Sequence, residues 1–102
     1  MANDSVFIGT ELKFIVNLQS PGFDMDEDDY SFVVSCGKVE KTIAKQDVIL
    51  DGEGNHIITI DTTGFKKGDV FITAIAEVPD DAFPDGKRTE IDKRKLITIK
   101  PL

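Results

Sequence analysis

The chain has no tryptophan, one cysteine, one histidine and one tyrosine, and no apolar run longer than a few residues. Each scarcity closes a route. A lone cysteine, Cys36, excludes an intramolecular disulfide, and nothing in the composition calls for an oxidising compartment. Together with His56 it offers two nitrogen or sulfur ligands, where a zinc site needs three or four. The apolar runs are too short for a membrane span or the core of a secretory signal. The expectation is a chain with no signal peptide and no membrane insertion, synthesised in the cytoplasm and staying there unless a larger assembly carries it. Asn3-Asp4-Ser5 matches the glycosylation sequon, which matters only on a secretory route.

Basic charge is also scarce. Twelve Lys and Arg against nineteen Asp and Glu leave a net charge of −7, which disfavours a nucleic-acid binder, since phosphate contact needs a basic face. Lys93-Arg94-Lys95 is the only run of three basic residues, and it reads as the solvated edge of an outer strand.

What is present is two-residue alternation. Val70, Ile72, Ala74, Ala76 and Val78 share one parity while Phe71, Thr73, Ile75 and Glu77 share the other, the pattern of a long strand with a buried face. Glu11–Leu18 alternates likewise, with Leu12, Phe14, Val16 and Leu18 inward. Tyr30–Cys36 places Tyr30, Phe32, Val34 and Cys36 on one side, and His56–Asp61 places Ile58 and Ile60 inward. A short strand near Val6–Ile8 precedes them. Lys38–Leu50 reads as one bulged strand or as two broken near Ala44–Asp47. Gly37 and Asp51-Gly52-Glu53-Gly54-Asn55 mark turns, and Thr62–Gly68 a corner, with Phe65 plugging the core. In Arg88–Ile99, Ile91, Ile97 and Ile99 share a parity that Lys93 and Lys95 interrupt, which predicts a bulge or an exposed first half.

With 102 residues, these segments predict a single domain over 1–102: an all-β, immunoglobulin-like antiparallel sandwich of seven to eight strands without a disulfide. No segment carries a 3.6-residue period, so helices are single turns at most. The tryptophan and cysteine pair of antibody domains are missing, so aliphatic packing must hold the sheets. On that basis Ile72→Ala should cost about 2–5 kcal/mol.

No catalytic residue emerges. Cys36 shares its parity with Phe32 and Val34, the pattern of a buried thiol, and His56 opens a strand after a hairpin, where an exposed histidine is ordinary. No glycine loop is followed by the lysine and helix that cradle phosphate. The chain reads as a non-enzyme.

The carboxylates are more informative. Counting Lys38–Leu50 as one strand gives seven strands running alternately up and down, and the loops at 19–29, 51–55 and 79–87 then emerge from one end. They hold Asp24, Asp26, Glu27, Asp28, Asp29, Asp51, Glu53, Asp80, Asp81 and Asp85, ten of the nineteen acidic residues, answered locally only by Lys87 and Arg88. Lys38, Lys66 and Lys67 fall at the other end. Asp24, Asp26, Glu27, Asp28, Asp29, Asp80, Asp81 and Asp85 are therefore the candidate interaction residues. An acidic end of one copy meeting the basic end of the next would build rings or filaments. Asp24, Asp26 and Asp28 have the alternate spacing of calcium loops, and Asp51, Asp80 and Asp81 are further candidate ligands, but the glycine and distal glutamate of an EF-hand are absent. The plainest alternative is that these aspartates cap turn amides. Crowded carboxylates are expected to raise one another's pKa. For a carbohydrate, Phe23, Tyr30 and Phe83 are the only aromatic platforms near that end.

Phe7-Ile8-Gly9 leads into a strand, an Asp-rich loop precedes Tyr30-Ser31-Phe32-Val33-Val34, and Asp51-Gly52-Glu53-Gly54-Asn55 precedes His56-Ile57-Ile58-Thr59-Ile60. The Gly64-Phe65-x-x-Gly68 corner and the run from Val78-Pro79-Asp80-Asp81 through Phe83-Pro84-Asp85-Gly86 to Lys87-Arg88-Thr89-Glu90 complete the series. Over nearly the whole chain this order resembles the immunoglobulin-like domains of phage tail and baseplate proteins, in particular the baseplate upper protein family. The resemblance implies a bacterial phage or prophage setting and a structural module that packs against copies of itself or other tail proteins, incorporated into a virion or tail. It carries over no binding residue. The expected function is thus non-enzymatic assembly through protein contacts. The alternative is a binding module whose acidic loops hold calcium, a cationic surface or a carbohydrate.

Overall fold

The computed structural model describes residues 5–102, so the sequon asparagine, Asn3, lies outside the described residues. Eight strands form: β1 Ser5–Phe7, β2 Glu11–Val16, β3 Tyr30–Cys36, β4 Val39–Ala44, β5 Ile49–Leu50, β6 His56–Asp61, β7 Gly68–Pro79 and β8 Lys87–Lys100. They make a five-stranded sheet, β1-β8-β7-β3-β4, facing a three-stranded sheet, β2-β6-β5. This is the immunoglobulin-like order, in which hairpin-connected and crossing strands alternate between layers. Every pairing is antiparallel except β1 with β8, which is parallel.

The core is aliphatic and aromatic without a covalent tie. Tyr30, Phe32, Val34 and Cys36 of β3 are buried at every second position, as the alternation predicts, against Ile58 and Ile60 of β6 and Val70, Ala76 and Val78 of β7. Phe65 closes the end of the core from the corner after β6, where a single 3₁₀ turn, Thr62–Gly64, forms. Thr62 is the one buried polar residue among those described. Its hydroxyl donates to the Thr10 carbonyl (2.7 Å) and accepts from the Gly9 amide (3.0 Å), so its burial leaves no unpaired group.

The segment Lys38–Leu50 resolves into two strands on different sheets. β4 ends at Ala44, a 3₁₀ turn spans Lys45–Asp47, and β5 adds only Ile49–Leu50 to the other layer. The Asp47 carboxylate accepts from the Ala44 amide (3.0 Å), which holds that break in place. Both pieces still run toward the same end, so the up-and-down order survives. The hairpin at Asp51–Asn55 closes with the Asp51 amide on the Asn55 carbonyl (3.0 Å), and Gly54 supplies its positive φ of 83°.

β8 carries a bulge. Val70 pairs with Ile97 but Phe71 pairs with Lys95, so Leu96 is the extra residue. A one-residue slip reverses which face each side chain meets. Ile97 and Ile99 therefore point into the core, whereas Ile91, of the same parity, shares the outer face with Lys93 and Lys95 and is exposed. The interruption in the sequence marks both a bulge and an exposed first half.

Burial of β7 differs from expectation at its centre. Val70, Ala76 and Val78 are buried, but Ile72 and Ala74 are only half-buried. Opposite them β2 is the last strand of its sheet, and among the described residues no strand continues that layer over the first part of β8. The sandwich is open along this side. Ile72→Ala consequently costs less than a full core truncation.

Candidate functional site

The loops 19–29, 51–55 and 79–87 gather at one end of the sandwich, tied by specific contacts. The Glu77 amide donates to the Asp29 carbonyl (3.0 Å), Arg88 Nη2 donates to the Pro21 carbonyl (3.2 Å), and His56 Nε2 lies 3.2 Å from Asp26 Oδ1. At the opposite end the Gly37 turn lies beside Lys66, whose carbonyl accepts from the Cys36 thiol (3.2 Å). Lys38, Lys66 and Lys67 are exposed there.

Within the acidic end most carboxylates face backbone donors. Asp24 accepts from the Asp26 amide (2.8 Å) and Asp28 from the Asp24 amide (2.9 Å). Asp51 accepts from the Glu53 and Asn55 amides (2.8 and 2.9 Å), and Asp80 from the Ala82 amide (2.9 Å) and Arg88 Nη1 (2.8 Å). These are caps, the plain use of aspartate in turns. Glu27, Asp29, Asp81 and Asp85 are exposed. Among the described residues, no group of three or more His, Cys, Asp and Glu side chains is arranged around a metal position.

The expectation that crowding raises these pKa values is corrected at two positions. Amide donors from Asn55 and Glu53, with the Asn55 side chain, hold Asp51 below the usual aspartate range. The Ala82 amide and then Arg88 do the same for Asp80. Hydrogen bonds to the charged form outweigh repulsion between like charges. Asp81 and Asp85 stay outside these contacts.

The local cations also exceed Lys87 and Arg88. Lys45, delivered by the 3₁₀ turn after β4, donates to the carbonyls of Asp26 (3.1 Å) and Asp28 (2.8 Å) and sits 5.7 Å from the Tyr30 ring centre. His56 adds its contact to Asp26. Neither partner is close in sequence, and no local motif announces them. Arg88 bridges Asp80 and Glu90 and reaches the Ser20–Pro21 bend, so it joins two loops and a strand.

The aromatic candidates divide. Tyr30 is buried, with Phe23 edge-on to it at 6.3 Å, so both belong to packing, while Phe83 is exposed at the tip of the β7–β8 loop. Cys36 is buried at the end of β3, and His56 opens β6 at the opposite end of the sandwich, so the two side chains do not meet. The run Lys93-Arg94-Lys95 is engaged on the surface: Lys93 over the Phe71 ring (5.1 Å), Arg94 with Asp92 (2.7 Å), Lys95 with Asp69 (3.4 Å).

A concavity lies along the open side. A cleft of about 830 Å³ runs between β2 and the first part of β8, with Phe14, Phe32, Ile58, Ile72, Ala74 and Leu96 as an apolar floor and Glu90, Asp92 and Arg94 at its rim. Sequence reasoning missed it, because the uncovered positions have the same residue types as covered ones. No protein-family model matches the chain, no curated protein matches it, and no solved structure matches it. No helix among the described residues is long and apolar enough to cross a membrane.

Proposed function

We propose that the domain is a non-enzymatic structural or assembly module that works through protein–protein contacts, of the kind used in phage or prophage tails and baseplates. The open side carries this reading. Unpaired strand edges flanking an apolar cleft are contact surfaces, which stable monomers usually cover or guard with charge. Cys36 and His56, the chain's single cysteine and histidine, lie at opposite ends of the sandwich and form no thiol–imidazole pair. The viral setting rests on the likeness of the turn motifs alone.

Co-sedimentation tests the proposal. In a strain carrying the gene, the protein should travel with tail particles at fixed stoichiometry. Protein that stays wholly in the unsedimented fraction while tails assemble normally overturns the tail reading.

A second reading has its own observation. Glu27, Asp81 and Asp85 lie exposed at one end beside the exposed Phe83, a surface suited to a cationic partner. Binding there would weaken steeply with salt, because surface charges are screened over about 8–10 Å near physiological ionic strength.

A further inference from the structure

We infer that two copies of this chain associate face to face through the outer surface of the five-stranded sheet, about a two-fold axis that runs parallel to the strands between β7 and β3. The inference rests on the reading of the domain as a protein-contact module and names a second copy as one partner.

The pairing register lays that surface out in rows across β8, β7, β3 and β4. One row is Ile91, Ile75, Ser31 and Ala44. The next is Lys93, Thr73, Val33 and Thr42, and the third is Lys95, Phe71, Ser35 and Glu40. Their neighbours along β3 and β7 are the core residues, so these side chains face away from the small sheet. A solvated sheet face ordinarily carries the polar half of the alternation, and Phe71, Ile75, Val33 and Ile91 depart from that rule. β7 and β3 bring no charge to any of the three rows, and Ile91 is 67% exposed. Ser5, the first described residue, joins the sheet beyond β8 at Thr98, so the four strands of this face are described in full.

Bulk and charge are distributed so that the face complements itself. Its large apolar side chains lie mainly on β7 and β8, its small ones on β3 and β4. The axis sets β7 on β3 of the second copy and β8 on β4, each row on its own counterpart. Phe71 then meets Ser35, Ile75 meets Ser31 and Ile91 meets Ala44, a bulky group against a small one each time. Lys95 meets Glu40, so opposite charges close both flanks. A two-fold axis across the strands does none of this. It stacks β8 on β8, sets Lys93 against Lys93, and crowds Phe71 onto Ile75 while leaving Ser31 over Ser35. The chosen packing has one like-charge contact, Glu77 opposite Asp29 at the end of the face, where Lys87 already lies 4.0 Å from Glu77.

The rest of each copy stays clear. The small sheet and the cleft lie behind the large sheet, on the side away from the contact. Arg88 bonds Ser20 and Pro21, which draws the end of the β7–β8 hairpin toward the loop after β2. Four strands about 4.8 Å apart and about seven residues deep make a face of roughly 450 Å² per copy. Two copies bury roughly 900 Å², near the lower limit of specific interfaces, so the dimer is reversible and micromolar rather than permanent. The outer face of the small sheet has a single apolar row, Ile15, Ile57 and Ile49, bordered by Lys13 and Thr59, and is too narrow for the same use.

Sedimentation equilibrium of the full chain, up to about 500 μM, is the primary measurement, at low salt and at about 0.5 M salt, where the screening length is about 4 Å. The expected result is a monomer–dimer equilibrium that persists at high salt, because its centre is apolar, whereas contact between acidic and basic ends dissolves. Ser31→Lys occupies the space that Ile75 needs and should weaken the dimer by at least about a hundredfold. Ile49→Lys, on the outer face of the other sheet, should leave it unchanged. Glu40→Lys sets like charges against Lys95 twice per dimer and should weaken it about tenfold, and adding Lys95→Glu should restore most of the loss. A defect confined to one copy would not be rescued by that swap. Circular dichroism and melting confirm folding of each variant, and the charge swap decides alone should Ser31→Lys unfold. A wild-type chain that stays monomeric at both salts overturns the inference. So does a dimer that dissolves at high salt, one that resists both Ser31→Lys and Glu40→Lys, or one that Ile49→Lys weakens as much. Each of these outcomes leaves the assembly reading standing on its co-sedimentation test.

Discussion

The ammonium of Lys45 lies 2.8 Å from the carbonyl oxygen of Asp28, a residue seventeen positions earlier in the chain. A second bond to the Asp26 carbonyl and the Tyr30 ring complete its surroundings. The most acidic loop is thus held by a lysine that reads the backbone rather than the carboxylates. Lys45→Met keeps the stem and removes the donor. The expected outcome is a loss of about 1–2 kcal/mol in urea unfolding, with faster amide exchange confined to Asp24–Asp29. Exchange unchanged in that loop would show that its own turn bonds suffice.

Ile58 and Ile72 test the open side. Ile58 is fully buried between the sheets, so Ile58→Ala should cost about 2–5 kcal/mol. Ile72 borders the cleft and is half-buried, so Ile72→Ala should cost clearly less. Equal losses in denaturant unfolding would mean the cleft is closed in solution.

Acid stability follows from the hydrogen-bonded carboxylates. Asp51, Asp61, Asp69, Asp80 and Glu90 all sit below their ordinary values, chiefly through hydrogen bonds: amide donors for Asp51 and Asp80, the Thr63 side chain for Asp61, Thr98 for Asp69, and Ser20 then Arg88 for Glu90. A lowered folded-state pKa contributes stability that is present above the unfolded value, about 3.9 for Asp and 4.3 for Glu, and is lost as pH falls through the folded value. The melting temperature should be level from pH 7 to 5 and fall steadily below about pH 4. Tyr30 works in the other direction: burial, then Asp26, raises its pKa, so its contribution is complete below about pH 10 and is lost above it. Thermal melts across pH 2–11 check both limbs.

Calcium and magnesium should act alike. The carboxylates of Asp24, Asp28, Asp51 and Asp80 already accept amide hydrogens, and turning them to a metal would cost those bonds. Melting temperatures in millimolar calcium and in equal magnesium should shift together, by screening. A rise with calcium alone would establish a site.

Cys36 should resist an uncharged alkylating reagent in the native state and react on unfolding, because its side chain is buried and its thiol donates to the Lys66 carbonyl. Fast native labelling would place the thiol on an accessible surface.

Periodicity is a property of neighbouring residues, and what depends on it was legible in the chain. The two-residue alternation of Tyr30–Cys36 and of Leu12, Phe14 and Val16 specified strands and their inner faces, since side chains of a strand must alternate. Turn chemistry at Gly37 and Asp51–Asn55 set the reversals, and counting strands placed the three acidic loops at one end. Contacts between distant segments were not legible. Nothing near Lys45 names Asp28, nothing near His56 names Asp26, and an inward-facing Ile72 looks the same whether or not a strand covers it. Whether Ile91 faced in or out turned on one extra residue at Leu96, which only the pairing with β7 locates. The edge that β2 leaves open among the described residues was likewise decided by tertiary structure, because which strands lie side by side depends on segments far apart in the chain.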